Sequence, residues 1–359
     1  MELVLRGSSW EAVAALLADG PRTDVERLSI IESPQITSVD GLDLSGWTAL
    51  RSLNLSGNRI ESMEDVQWPP LLDELNLRNN MLEDFPASVF DASMLTSLHL
   101  AGNKIAALGG SFERIPLLTK LYLGGNRISD IDPKVFCSLP HLEVLYLGGN
   151  RLSALPATIG ELASLRALWL HDNQLGEIPA NVMALHSLEQ LYLHKNQLVV
   201  LPAEVMALRK LRKLSLRENP LVTRFAESYR SKMPSLLELA ARAYLKQQQQ
   251  QPSASIESLP VAVRHMFSQA HQCHACSTPV FSEHVSRIDF LDLCGAVHVP
   301  FLQYLCSESC SMHVQSSSMD GISRAARLRK VLLDRYNPHL SAPVEALKDE
   351  LSNWDEGFD

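Results

Sequence analysis

LRSLNLSGNRI, residues 50–60, decides how this chain is read, because the same spelling returns seven more times. It recurs as LDELNLRNNML from Leu72, LTSLHLAGNKI from Leu95, LTKLYLGGNRI from Leu118 and LEVLYLGGNRL from Leu142. It continues as LRALWLHDNQL from Leu165, LEQLYLHKNQL from Leu188 and LRKLSLRENPL from Leu211. The shared phrase is Leu-x-x-Leu-x-Leu-x-x-Asn-x-(Leu/Ile), and the spacings between copies are 22, 23, 23, 24, 23, 23 and 23 residues. Within each phrase the Leu-x-Leu alternation predicts a short strand whose leucines point to one side. The Asn follows three residues after the last strand leucine, where the chain must turn, and its amide is suited to bond turn backbone groups that would otherwise be buried unpaired.

A fixed period of this length with this pattern is the signature of leucine-rich repeats. One copy cannot bury its leucines alone, whereas stacked copies make a continuous core. The expected fold is therefore α/β: a solenoid with a curved parallel sheet on its concave side and short convex helices. The pairs Phe85-Pro86, Leu155-Pro156, Ile178-Pro179 and Leu201-Pro202 open the convex half of several copies, and proline there is expected to stop the strand. NVMALHSL and EVMALRKL, which follow two of these pairs, have a helical apolar period.

Function is sought off the leucines. The middle residue of each Leu-x-Leu faces away from the core, and along the eight copies it is Asn54, Asn76, His99, Tyr122, Tyr146, Trp169, Tyr192 and Ser215. Four consecutive aromatics on strands ~4.8 Å apart make a ladder of roughly 15 Å. Aromatics suit strands and shield the leucines beneath, but exposed rigid rings are also the residues of binding hot spots. Tyr122, Tyr146, Trp169 and Tyr192, with His171, His194 and Arg217 on the neighbouring rim, are the candidate partner-binding residues.

Composition sets the outer limits. The chain has 359 residues, 46% hydrophobic and 20% charged, with net charge -9 and pI ≈ 5.8, which argues against nucleic acid as the main partner. MELVLRGSSW carries no apolar signal region and no apolar run is long enough to span a membrane, so the expected compartment is the cytoplasm or the nucleus, with no membrane partner. Six cysteines in a reducing compartment point to metal or free thiols and not to disulfides.

Five segments follow. Residues 1–48 hold a cap helix, opened by Ser8-Ser9-Trp10-Glu11 and closed at Gly20, and a degenerate first repeat with Leu28 and Ile30 as its strand. Residues 49–228 are the solenoid. Residues 229–268 hold two helical pieces joined by the linker Gln247 to Gln251. In the first, Leu236, Leu239, Ala240, Ala243 and Tyr244 lie on one helical face behind Pro234. The second follows Leu259-Pro260, with Val263, Met266 and Phe267 on one side. Residues 269–316 hold Cys273-x-x-Cys276 and Cys306-x-x-x-Cys310, two close thiol pairs separated by a β-like segment, the makings of a tetrahedral structural zinc site. Cys294, His271, His274 and His284 are the alternative ligands. Residues 317–359 hold a basic helix and an acidic tail.

The 229–268 segment resembles the SOCS-box type, which ties substrate receptors to cullin-RING ubiquitin ligases. Pro234, Ser235, Leu236, Ala240 and Tyr244 stand at the places of that family's elongin-binding helix. The resemblance implies that Leu236 enters the elongin pocket and that Leu259-Pro260 leads into the cullin-choosing helix. Ala240 stands where the family usually has cysteine, and the second proline after Leu259-Pro260 is absent. The implied partners are elongin B/C and a cullin, 5 or 2. The repeats, SLLELAAR, the Leu-Pro segment and FLDLCGAVHVPFLQYLCSESC together resemble the leucine-rich-repeat-containing protein 58 type.

No enzyme constellation is found. The Gly124-Gly125 and Gly148-Gly149 turns lack the lysine and helix of a phosphate loop, and there is no HExxH or nucleophile elbow. The reading is a non-catalytic substrate receptor of an elongin–cullin ligase that binds its substrate on the concave face. The alternatives are a signalling scaffold with a structural zinc unit and, third, a zinc enzyme in the C-terminal third.

Overall fold

The computed structural model describes residues 1–9, 11, 13, 20, 23–222, 227–229, 271–274, 279–280, 285–293, 296–305 and 310. These divide into two compact units: Met1–Leu198 with Leu208–Pro220, and Val199–Ala207 with what is described from Leu221 onward.

The first unit is a solenoid built on a ten-stranded parallel sheet. Each Leu-x-Leu phrase supplies one strand, from Ser52–Asn54 to Lys213–Ser215. The three strand and turn leucines of each copy are buried, as at Leu142, Leu145 and Leu147, except that Leu214 of the last copy is half-buried. Each strand is three residues long because the pattern asks no more of it: one inward leucine between two outward neighbours.

Two further strands precede the eight. Arg27–Ile31 carries Leu28 and Ile30 inward, as expected of the degenerate copy. Glu2–Arg6 pairs with it in parallel, Leu3 against Leu28 and Leu5 against Ile30, so the sheet begins at the second residue and ahead of the cap segment. Of that segment, Glu11 and Val13 are helical, Val13 is fully buried and its N–H donates to the Ser9 carbonyl at 3.1 Å. A left-handed residue ends the strand phrase in all ten copies: Gly7, Glu32, Gly57, Asn79, Gly102, Gly125, Gly149, Asp172, Lys195 and Glu218, with φ between 51 and 72°. Glycine holds half of these places because it takes positive φ without strain.

The asparagines close the stack. Asn150 donates from Nδ2 to the carbonyl of Leu147 in its own copy (2.9 Å) and of Leu123 in the copy before (3.0 Å). Its Oδ1 accepts the Ile128 N–H of that earlier copy at 3.0 Å. Asn80, Asn103, Asn126, Asn173, Asn196 and Asn219 repeat the same three bonds. The Leu123 carbonyl therefore accepts from two asparagines, Asn126 and Asn150, which uses both of its lone pairs.

The convex side differs from the expected helices. It carries 3₁₀ turns at Ala87–Asp91, Phe112–Arg114, Ala157–Glu161 and Ala180–Ala184, and one α-helical turn at Lys134–Cys137. After Pro156 and Pro179 only five residues precede the next leucine, which leaves no room for a longer helix, and 3₁₀ geometry closes a short turn with i+3 bonds. Pro86, Pro156 and Pro179 sit just before their turns, and their carbonyls accept the N–H three residues on at 3.0–3.1 Å.

The described residues of the second unit are largely β. Val285–Leu293 and Ala296–Leu305 form an antiparallel hairpin, as the β-like reading of the Cys-rich region anticipated. Glu227–Tyr229 pairs with its first strand. Leu201–Pro202 pairs in parallel with Phe301 and Leu302 of its second strand, so this Leu-Pro pair is itself a strand edge and does not stop one. Proline is tolerated there because an edge strand needs no donor on its outer side. The 229–268 segment, with Leu236, Ala240, Tyr244, Leu259 and Pro260, lies outside the described residues apart from Tyr229, as does all of 317–359.

Asn150→Leu leaves the Ile128 N–H without its acceptor inside the core and halves the acceptance at two carbonyls. A loss of about 2–4 kcal/mol is expected, read as a lower urea midpoint. Asn76→Ala, which removes one exposed bond from Arg78 N–H, is the control and should cost less than about 1 kcal/mol.

Candidate protein-binding stripe

The parallel register places the outward residues of successive strands side by side. The ladder runs Ser29, Asn54, Asn76, His99, Tyr122, Tyr146, Trp169, Tyr192 and Ser215, each directly paired with the next. Every one of them is half-buried, because each ring packs on its neighbours instead of standing free in water. Trp169 and Tyr192 stack with centroids 5.7 Å apart and planes 3° from parallel. Tyr146 lies 5.7 Å from Trp169 at a tilt of 35°. His99 stacks on Tyr122 at 4.4 Å and extends the aromatic row by one strand toward the N-terminus.

A second row runs beside the first. His171 and His194 stack face to face at 4.7 Å and 6°. The Tyr146 hydroxyl and His171 Nε2 are 3.2 Å apart, and the rings meet edge-on at 5.4 Å, so the two rows are tied together. His194 Nδ1 lies 3.2 Å from the Ser215 hydroxyl. This tilt of Tyr146 and His171 depends on glycine. A Cβ at Gly124 would sit inside the Tyr146 ring, and one at Gly148 would sit inside the His171 ring. Both glycines are buried beneath those rings.

The histidines are uncharged near neutral pH. Burial holds the His171 imidazole below its ordinary pKa, and the neighbouring His194 adds to this. His194 is lowered by burial and then by Arg217 and Lys195, against the opposing pull of Glu218 and Asp172. His99 is lowered by burial more than Glu74 raises it. Neutral rings keep the stack intact, since two imidazolium charges at this spacing would repel. His171 Nδ1 is buried with no hydrogen-bond partner, so the Tyr146 hydroxyl and the stacked His194 are what hold that ring.

All seven residues singled out on this face are thus placed together: Tyr122, Tyr146, Trp169, Tyr192, His171 and His194 in the two rows, with Arg217 exposed at the last strand. His99 is not among those seven, yet its ring stacks on Tyr122 as an aromatic one does. Val144 and Ala167, on the other flank, leave the middle of the stripe apolar.

Of the four candidate zinc cysteines, Cys273 and Cys310 are described. Cys273 is fully buried with Val280 and Leu305, and Cys310 packs against that cluster. Cys276 and Cys306 lie outside the described residues, as do Cys294 and His284. Beside Cys273, His274 is buried, its Nδ1 meets the Tyr304 backbone and its Nε2 lies 3.3 Å from Glu204. Among the described residues no three of His, Cys, Asp and Glu gather as a metal-binding group. No helix among them is long and apolar enough to cross a membrane.

Comparison with known proteins bears on the first unit. Family models described as leucine rich repeat match residues 48–62, 70–128 and 116–175. The chain is similar to leucine-rich repeat-containing protein 58 of Xenopus laevis, 35% identical over 119 residues, which is 31% of this chain and 33% of the relative. The alignment thus spans about a third of that protein's length. Among solved structures, an internalin of Listeria monocytogenes is 26% identical with a TM-score of 0.43, covering 54% of each chain. A Leptospira interrogans LRR protein is 18% identical with a TM-score of 0.35, covering 65% of this chain and 84% of its own. Residues 48–62 and 70–175 are leucine-rich repeats, and the region they build is a protein-interaction module.

Proposed function

We propose that this chain is the substrate-recognition subunit of an elongin B/C–cullin ubiquitin ligase, and that it holds its substrate on the stripe from Tyr122 to Tyr192. The observation that carries the binding half is the tied double row of Tyr146, Trp169, Tyr192, His171 and His194, uncharged, half-exposed and backed by a rigid core. Tyrosine and tryptophan offer large amphipathic area at low conformational cost, the chemistry of binding hot spots. The ligase half rests on the sequence alone: Pro234-Ser235-Leu236 with Ala240 and Tyr244, followed by Leu259-Pro260. A structural zinc held by Cys273, Cys276, Cys306 and Cys310 belongs to the same proposal, supported by Cys310 packing on the Cys273 cluster. The chain itself does no chemistry in this reading; its partners transfer ubiquitin. The signalling scaffold is what remains if the elongin link fails.

Three measurements test these parts. Tyr146→Ala with Trp169→Ala should abolish capture of the partner, each ring contributing about 2 kcal/mol, while the urea midpoint moves little because no leucine is exposed. Unchanged capture would place the interface elsewhere. Leu236→Asp should remove elongins from the purified complex, since an unpaired carboxylate costs several kcal/mol in an apolar pocket. Leu259→Ala with Pro260→Ala should keep elongins and lose the cullin; wild-type protein that recovers neither leaves the scaffold reading. Freshly purified reduced chain should hold one zinc, and a chelator should unfold residues 271–312 with the repeats intact; metal-free protein would refute the zinc site.

A further inference from the structure

The outward face is graded in charge along the sheet. At the Glu74 strand it is polar and acidic: Glu74 accepts from the Ser52 hydroxyl and lies 3.8 Å from His99. In the middle it is apolar, with Val144, Ala167, Tyr146 and Trp169 on adjacent strands. On the last two strands it turns basic. Lys195, Arg212, Lys213 and Arg217 are all exposed there. The nearby acids do not fully offset them: Glu189 is held by Arg166 at 2.8 Å, which leaves Glu218 and Asp172 against these four cations. The charge of the whole chain is -9, so this basic end is a local feature and not a reflection of composition.

An apolar aromatic centre beside a basic end fits one kind of ligand. We propose that the partner is an extended protein segment carrying two features: a large aromatic or aliphatic side chain over Tyr146 and Trp169, and an acidic side chain among Lys195, Lys213 and Arg217. The spacing between these features follows from the sheet. Trp169 and Ser215 stand two strands apart and Tyr146 and Ser215 three, so the separations are ~10 and ~14 Å. An extended segment crossing the strands advances ~3.3 Å per residue, which sets the acid three or four residues from the anchor. The rings supply affinity, and the basic end fixes direction, because complementary charge governs orientation and association rate more than strength. The inference rests on the stripe being the binding surface, and deepens that reading.

The test pans the full chain against a displayed library of randomised peptides about twelve residues long, a length that covers the stripe at ~3.3 Å per residue. Enriched peptides should share an aromatic or leucine anchor with Asp or Glu three or four residues to one side. Lys213→Glu with Arg217→Glu should weaken the best peptide by about tenfold or more and flatten its salt dependence, with Lys213→Gln and Arg217→Gln intermediate. Tyr146→Ala with Trp169→Ala should abolish its binding. A phosphoserine in place of the acid asks whether phosphate is the better anion, and tighter binding than the carboxylate would assign the site to phosphorylated segments and overturn the acidic one. Enriched peptides without acidic bias, or affinity unchanged by charge reversal while the aromatic variant still loses binding, would refute this inference and leave the stripe standing. Affinity unchanged by the aromatic variant would refute both.

Discussion

The asparagine bond set is the constraint on which the first unit depends. A chain that turns every two dozen residues toward a leucine core must bury backbone groups at each turn, and a buried unpaired group costs as much as a lost hydrogen bond. Asn150 and its counterparts answer this with one side chain that donates twice and accepts once, and two of those three bonds cross to the copy before. The same contact therefore satisfies the turn and fixes the offset between copies. At the start of the solenoid serine stands in. The Ser33 hydroxyl accepts the Ser8 N–H at 3.0 Å, and Ser33 N–H in turn donates to Asn58 at 2.8 Å. A hydroxyl cannot make all the bonds of an amide, and these two copies are the ones whose spelling is degenerate.

A fixed offset has a consequence on the opposite face. Because each copy is locked to its neighbour, the outward residues cannot slip in register, and Tyr122, Tyr146, Trp169 and Tyr192 are held at strand spacing. Rings so close must stack, tilt or lean into empty space. Trp169 and Tyr192 stack; Tyr146 leans over Gly124, and His171 over Gly148. The double glycines that looked like unproductive turns in the sequence are thus the space into which the site is folded.

The repeat was legible because its period and its leucines recur eight times, and with it came the parallel sheet, the inward leucines and the outward row. The strand Glu2–Arg6 was not, although Leu3-Val4-Leu5 stands 25 residues before Leu28 and Gly7 holds the left-handed place. Ser8 in place of asparagine hid it. Convex helices were read where 3₁₀ turns form, because apolar spacing over five residues cannot separate a period of 3.0 from 3.6. The Tyr146–His171 contact joins residues 25 apart in different repeats, and no local pattern announces it. Leu201-Pro202 reads like the other Leu-Pro pairs, but its partner lies about a hundred residues downstream in a hairpin whose pairing sequence alone does not reveal.

The histidines show why identity within a pattern matters less than neighbourhood. By type, His171 and His194 are polar rim residues that titrate near neutrality. On this sheet, burial and the cations Arg217 and Lys195 disfavour their charged form, and each has an aromatic partner within ring-stacking distance. They behave as aromatic residues that carry a hydrogen-bonding edge. The stripe is then a seven-ring surface whose polarity lies at ring edges and whose charge lies at its two ends, acidic at Glu74 and basic at the last strands. In the proposed reading, a surface so divided distinguishes side-chain order along a partner, since an anchor and an anion in the reverse order would meet a polar, acidic strand where the basic one is needed.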